Sequence, residues 1–223
     1  MDGKIRVAIL DDHQGIIDGY SLRLSQTANL EVVATAYYSD DMDELLEQYP
    51  VDVLLLDVQV PTARDNPNPY PLLHKIPKYL KKYPDLHILI ITMHNQRSLI
   101  RATMKLGVSG YILKDDRAAI KKLGDIIRAI FDGGYYLSKG VNPVLAPHEP
   151  FELSERQLEA LSMAAAFPDY TSNELTIKMG VAGATFRNLL SGAYTRLGVR
   201  NRTAAILKAR EQGLITPSSA RLE

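Results

Sequence analysis

The stretch Val51-Asp52-Val53-Leu54-Leu55-Leu56-Asp57-Val58-Gln59-Val60-Pro61 decides the fold of this chain. Val53 to Leu56 form a short continuous apolar run, which suits a strand covered on both faces, as in a parallel sheet with helices outside it. The run ends in a carboxylate, Asp57, and Pro61 stops the strand soon after. Open α/β sheets bind ligands beyond the carboxyl ends of their strands, so the position of Asp57 matters as much as its charge. A lone Asp at such a place ordinarily caps the following turn. The rest of the chain distinguishes the two readings.

Outward from this stretch the sequence reads strand–helix five times. Ile5–Leu10 is an apolar strand followed by Asp11, Asp12 and His13, and Ile16, Ile17, Tyr20, Leu22 and Leu24 approximate a helical face. Leu30–Ala36 reads as a second strand, and an acidic helix with Met42, Leu45 and Leu46 inward follows it. After the third strand, Pro61 to Pro71 is proline-rich and is expected to be an irregular loop. A helix over 72–83 must start or kink at Pro77. His87–Met93 is a fourth strand carrying Thr92, and a helix around 98–106 is closed by Gly107. Val108–Leu113 is a fifth strand ending before Lys114, and a last helix runs from about Ala118 to Phe131. Strands alternating with helices predict a doubly wound, five-stranded parallel sheet.

Composition narrows the classes. The 223 residues suffice for one or two domains with a proper core. The absence of cysteine excludes disulfides and thiolate metal sites and fits a reducing cytosol. No run has the signal-peptide or membrane-spanning character that would direct the chain elsewhere, so a cytoplasmic location without membrane contact is expected. Net charge is zero but unevenly placed: residues 1–150 hold 17 Lys+Arg against 19 Asp+Glu. Between Gly183 and Arg210 there are six basic residues and no acidic one, a local excess more informative than the net charge.

Asp11, Asp12, Asp57, Thr92 and Lys114 all fall at or just past the carboxyl ends of predicted strands one, three, four and five. In a parallel sheet these ends share one edge, so the side chains can converge. Clustered carboxylates repel unless a cation sits among them, and an all-oxygen set prefers a hard ion such as Mg²⁺. A hydroxyl and an ammonium beside that ion suit a phosphoryl group.

These residues carry a family resemblance. Ile9 to His13, Leu56 to Pro61, Ile91-Thr92 and Gly110 to Lys114 resemble the receiver domain of two-component response regulators. The resemblance implies that Asp57 accepts a phosphoryl group from a sensor histidine kinase. It implies Mg²⁺ held by Asp12, Asp57 and the carbonyl of Gln59, with Asp11 acting through water. Lys114 and Thr92 would hold the phosphoryl oxygens, and Tyr111 would be the aromatic switch that turns inward when Thr92 moves. Two other phosphate-handling folds fit worse. A haloacid-dehalogenase-type phosphatase needs an Asp where Gln59 stands, and a flavodoxin needs a Ser/Thr/Gly-rich loop where Asp11-Asp12-His13 stands. The chain departs from the receiver pattern in Val60, where Met is usual, and in the length of Thr62–Tyr70. That insert is expected to select partners and to do no chemistry.

The remainder is helical. Ser154 and Gln157 stand at capping-box spacing, and helices are expected near 154–167, 171–179, 184–197 and 203–212, with Gly180, Gly198 and Gly213 as stops. Two short helices joined by a tight turn suggest a helix-turn-helix. Leu153 to Glu159, Ser172 to Leu175, Arg196 to Ala205 and Ala209 to Ile215 resemble the LuxR/NarL-type DNA-binding domain. That resemblance implies a recognition helix presenting Thr185, Arg187, Asn188 and Ser191 to DNA, with Arg200 and Arg202 on phosphates. Ala184 and Leu189 replace the family's usual Lys and His, and Gly192 lies mid-helix at a cost of roughly 1 kcal/mol against Ala.

The expected organisation is a receiver over 1–134, a linker over 135–150, a helix-turn-helix unit over 151–216 and a tail over 217–223. The expected function is a response regulator, not an enzyme, in which phosphorylation of Asp57 controls homodimerisation and DNA binding. The linker is long enough for the receiver to cover the recognition helix or release it. The alternative is a phospho-switched module whose helices bind a protein.

Overall fold

The computed structural model describes residues 3–69, 71–141 and 153–216. The later part of the expected linker and the expected tail therefore lie outside the described residues. Among those described, no helix is long and apolar enough to cross a membrane.

The five predicted strands are β1 (Ile5–Leu10), β2 (Leu30–Ala36), β3 (Val53–Leu56), β6 (His87–Thr92) and β7 (Gly110–Leu113). They lie in the order β2-β1-β3-β6-β7, all parallel. A two-residue strand, β8 (Tyr136–Leu137), extends this sheet beside β7, so the stretch expected to be linker begins as a sixth strand. Alternation along each strand divides the apolar residues between two faces. Ala8, Leu10, Leu54, Leu56, Ile88 and Ile90 join one core with α2 (Asp41–Gln48), α3 (Leu72–Lys82) and α4 (Arg97–Lys105). Val7, Ile9, Val53, Leu55, Leu89 and Ile91 join the other with α1 (Gln14–Ser25), α5 (Arg117–Lys121) and α6 (Leu123–Phe131). Each of the Val, Leu and Ile side chains contributes about 1.5–3 kcal/mol by leaving water. The single helix expected over 118–131 is two, parted at Lys122.

The proline-rich stretch is not an irregular loop. Pro61–Ala63 (β4) and Asn66–Pro69 (β5) pair as an antiparallel hairpin. Prolines are tolerated on edge strands, and both strands of a two-stranded ribbon are edges. Thr62 Oγ1 donates to the Asn68 carbonyl at 2.8 Å, and the amides of Ser39 and Asp40 bond the carbonyls of Pro61 and Thr62, each at 3.0 Å. The hairpin is thereby fastened to the β2–α2 loop. Helix α3 begins at Leu72 and runs on through Pro77.

The C-terminal helices are α7 (Glu155–Ala166), α8 (Ser172–Met179), α9 (Gly183–Leu197) and α10 (Arg202–Glu211). They enclose a third core of Leu161, Ala164, Leu175, Phe186, Leu190, Ala193, Leu197 and Ala205. Capping boxes start α7 (Ser154 with Gln157) and α8 (Thr171 with Glu174). Gly180, at φ 63°, ends α8 in the left-handed conformation that makes the tight turn into α9. This module packs on the receiver through α7 and the end of α10. His74 Nε2 and Ser162 Oγ are hydrogen-bonded at 3.0 Å, Lys78 pairs with Glu159 at 3.8 Å, and Ser98 Oγ donates to the Gln212 carbonyl.

Candidate phosphoacceptor site and nucleic-acid face

Register brings the first group together. Leu10 pairs with Leu56, Leu56 with Ile90, and Thr92 with Leu113, so four strands end along one edge, with β6 and β7 reaching two residues beyond β1 and β3. The ladder continues past them, with Asp57 N donating to the Leu10 carbonyl and Lys114 N to the Thr92 carbonyl, both at 2.9 Å. Asp11 and Asp57 are buried just beyond the strands, at 2% and 6% exposure. Lys114 Nζ lies 2.6 Å from Asp11 Oδ2 and 2.6 Å from Asp57 Oδ2, bridging the two carboxylates. Burial alone would pull the Lys114 ammonium down, but Asp57 and Asp11 outweigh it and hold it above the usual lysine range. Burial pushes the Asp11 carboxyl up against the opposing pull of Lys114. Breaking such a buried set is costly, because each remaining charge loses its partner.

Two features bear on what this site can bind. The Thr92 hydroxyl is fully buried and has no hydrogen-bond partner among the described residues. Buried hydroxyls are nearly always satisfied, so this one is available to an incoming oxygen. Asp11, Asp12 and His13 bring ligating atoms within 4.8 Å of one another, with Asp12 more open to solvent than Asp11. Asp57 stands outside that group, with one oxygen on Lys114 and the other accepting from Gln59 N at 3.1 Å. Carboxylates with carbonyl and water oxygens are the donor set of Mg²⁺, and the residues present fit that ion.

Tyr111 is fully buried, and its hydroxyl donates to the His94 carbonyl at 2.6 Å. The ring expected to turn inward is therefore already inward. Burial, with Asp57 nearby, raises its phenol well above the ordinary value. The sequence reading missed His94. Its Nε2 lies 2.6 Å from Gln59 Oε1 across the mouth of the site, and burial lowers the imidazole below its usual value. The available signal was its spacing: His94 follows Thr92 by two residues, as Gln59 follows Asp57.

On α9, Phe186, Leu190, Ala193 and Leu197 face the core, while Thr185, Arg187, Asn188 and Ser191 are exposed on one side. The receiver does not lie over these four, so the cover allowed by the linker is absent from this arrangement. A Cβ at Gly192 would meet Gln157 Nε2 at 2.5 Å, and Gln157 Oε1 also accepts from Arg196 Nη1 at 3.0 Å. The mid-helix glycine thus makes room for the capping-box glutamine. Arg200 is exposed. Arg202 also has partners inside the helical module. Its guanidinium donates to the carbonyls of Ala164 at 2.8 Å, Phe167 at 3.1 Å and Tyr170 at 3.2 Å. It clamps the α7–α8 turn through three of its N–H donors.

Comparison with known proteins agrees with this architecture. The response regulator receiver domain family matches residues 7–124. Over nearly full length, the chain is 24% identical to the transcriptional regulatory protein DegU of Brevibacillus brevis, covering 96% of each chain. It is 27% identical to the oxygen regulatory protein NreC of Staphylococcus aureus, covering 95% of this chain and 99% of that one. Among solved structures, RcsB of Salmonella enterica serovar Typhimurium, bound to a promoter with a phosphomimetic present, superposes with a TM-score of 0.57 at 23% identity. That match covers 92% of this chain and 98% of RcsB and shows likeness of fold.

Proposed function

The chain belongs to the response regulator receiver domain family, and from that premise we propose that Asp57 is the phosphoacceptor of a two-component transcriptional regulator with a LuxR-type output module. The observation that carries this is the buried, partnerless Thr92 hydroxyl in a pocket where Lys114 already bridges Asp11 and Asp57. A carboxylate oxygen of Asp57 attacks the phosphorus of a phosphohistidine on a sensor kinase. The P–N bond breaks, and the electron pair leaves on the imidazole nitrogen, which takes a proton. Lys114 then pairs with one phosphoryl oxygen, and Thr92 donates its hydroxyl to another. Mg²⁺ would be held by Asp12, Asp57 and the Gln59 carbonyl, with Asp11 behind a water, and would neutralise charge on the phosphoryl oxygens. Tyr111, already inward, would be held there once Thr92 engages the phosphoryl group.

In this reading the receiver (1–134) and the helix-turn-helix unit (151–216) are the working parts. The exposed side of α9 enters the major groove, where Arg187 suits guanine or phosphate and Asn188 suits adenine. The phosphorylated form is a homodimer on an inverted repeat, and the cysteine-free chain works in the cytosol. A protein-binding role for the helices is less favoured, because Thr185, Arg187, Asn188 and Ser191 on the open side of α9 are polar or cationic and DegU is named as a transcriptional regulatory protein.

The test is acetyl phosphate with and without Mg²⁺, read by intact mass. Wild type should gain one phosphoryl group only with the ion, and D57N should gain none. Labelling that persists in D57N would remove Asp57 from the role. Titration with genomic fragments at two salt concentrations separates operator binding from protein binding.

A further inference from the structure

Hairpin β4–β5 spans the boundary between the receiver and the helical module. Its root adjoins the acceptor: Asp57 Oδ1 accepts from Gln59 N, Val58 and Val60 are fully buried, and β4 begins at the next residue, Pro61. Its side is fastened to the β2–α2 loop by Ser39 and Asp40. Its outer strand reaches α7, where Asn66 Nδ2 donates to the Ala166 carbonyl at 3.0 Å. Ala166 is the last residue of α7. Terminal carbonyls of a helix have no intrahelical partner and carry the negative end of its dipole, so an amide N–H is a fitting cap. The other end of the same amide is held within the hairpin, with Asn66 Oδ1 accepting from Asn68 N at 3.1 Å and Asn68 Nδ2 at 2.9 Å. The donor is therefore aimed at α7 by the hairpin's own bonds.

We propose that the 61–69 hairpin is a latch: Asn66 caps helix α7 from the neighbouring domain, pins the helical module to the receiver, and lets go when Asp57 takes a phosphoryl group. The latch stands on geometry alone, while its trigger rests on the function proposed above. Drawing Asp57 Oδ1 onto new partners withdraws the acceptor of Gln59 N. The buried Val58 and Val60 leave little slack between that bond and the hairpin, so the strain is passed to β4 and to Asn66.

Asn66→Asp is the discriminating variant, because it keeps the Oδ1 acceptor that shapes the hairpin and removes the interdomain donor. It also sets a negative charge against the negative end of α7. The chain has no cysteine, so Lys121→Cys and Ile177→Cys, both at exposed positions, place one spin label on each domain of the full-length protein. Distance distributions by double electron–electron resonance should show one compact population in wild type. N66D should lower the closed-to-open ratio roughly five-fold, the effect of one lost hydrogen bond. Acetyl phosphate with Mg²⁺ should open the wild type and add little to N66D. Acetyl-phosphate labelling of N66D at the wild-type rate shows that the receiver is intact. Distances in N66D matching wild type would overturn the latch whatever happens at Asp57. Opening in N66D without opening in a wild type that mass spectrometry shows to be labelled would overturn the trigger. A wild type that takes no label defeats the phosphoacceptor reading, and the latch is still judged by N66D.

Discussion

Thr92 sets folding against switching in a single side chain. Its hydroxyl is buried without a partner, and such a group lowers stability by about 1–3 kcal/mol relative to a satisfied one. Valine has nearly the same shape and no hydroxyl to satisfy. Thr92→Val is therefore expected to raise the unfolding free energy of the unmodified protein by about 1 kcal/mol in urea titration. The same variant should still be labelled at Asp57 but show no change in DNA affinity on labelling, because nothing draws residue 92 toward the phosphoryl oxygens. Lower stability in the variant would mean that the hydroxyl is already well satisfied. Asp11, Asp57, Thr92 and Lys114 were legible in the sequence because each is a polar residue at the end of an apolar run, and strand ends in a parallel sheet share an edge. His94 was marked only by its two-residue spacing from Thr92, a weaker signal than a strand end. Only the fold shows it meeting Gln59.

The same contrast between pattern and tertiary contact holds for the elements. The five parallel strands follow from apolar runs that any reader of the sequence can mark, and all five are present. Hairpin β4–β5 was hidden because its prolines argue against strand, and only the lack of outer neighbours makes room for them. Leu22 fitted an apolar face on paper and is 64% exposed, since α1 buries Ile17, Tyr20 and Leu24. Around α10, two arginines that look alike in sequence have different surroundings, which predicts opposite phenotypes. Arg200→Ala should leave thermal stability unchanged and flatten the salt dependence of DNA binding by about one unit of log–log slope. Arg202→Ala leaves the carbonyls of Ala164, Phe167 and Tyr170 without that donor. It should lower stability by about 1–3 kcal/mol with no change of slope in whatever fraction stays folded. Scanning calorimetry beside titrations at several salt concentrations distinguishes the two, and a flattened slope in Arg202→Ala would return that residue to the phosphate contacts.

How the two domains meet was the part least legible in the sequence, because it depends on pairs such as His74 with Ser162 that no local pattern marks. With the recognition side of α9 open, removing the receiver uncovers nothing. The fragment 151–223 should therefore bind a half-site within about two-fold of the unphosphorylated chain, and a phosphorylated dimer should gain through effective concentration. A much tighter fragment, measured by anisotropy, would mean that the receiver shields DNA contacts after all. Docking should also respond to pH. His74 lies on α3 against Ser162 of α7, and burial lowers its imidazole to about 4, with Glu159 opposing and Lys78 reinforcing that shift. Released to solvent, the same ring should titrate near the usual value of about 6.5. Above that pH both arrangements hold a neutral imidazole, and docking is indifferent to protons. As pH falls below it, the separated form takes up a proton that the docked form refuses, so docking weakens until His74 titrates in the docked form too. At about pH 5.5 the closed-to-open ratio should have dropped roughly ten-fold. His74→Gln keeps a hydrogen-bonding side chain and cannot titrate in this range, so its interdomain distances should be the same at about pH 7.5 and pH 5.5 while those of wild type broaden. Equal broadening in both proteins would remove His74 from the pH response of docking.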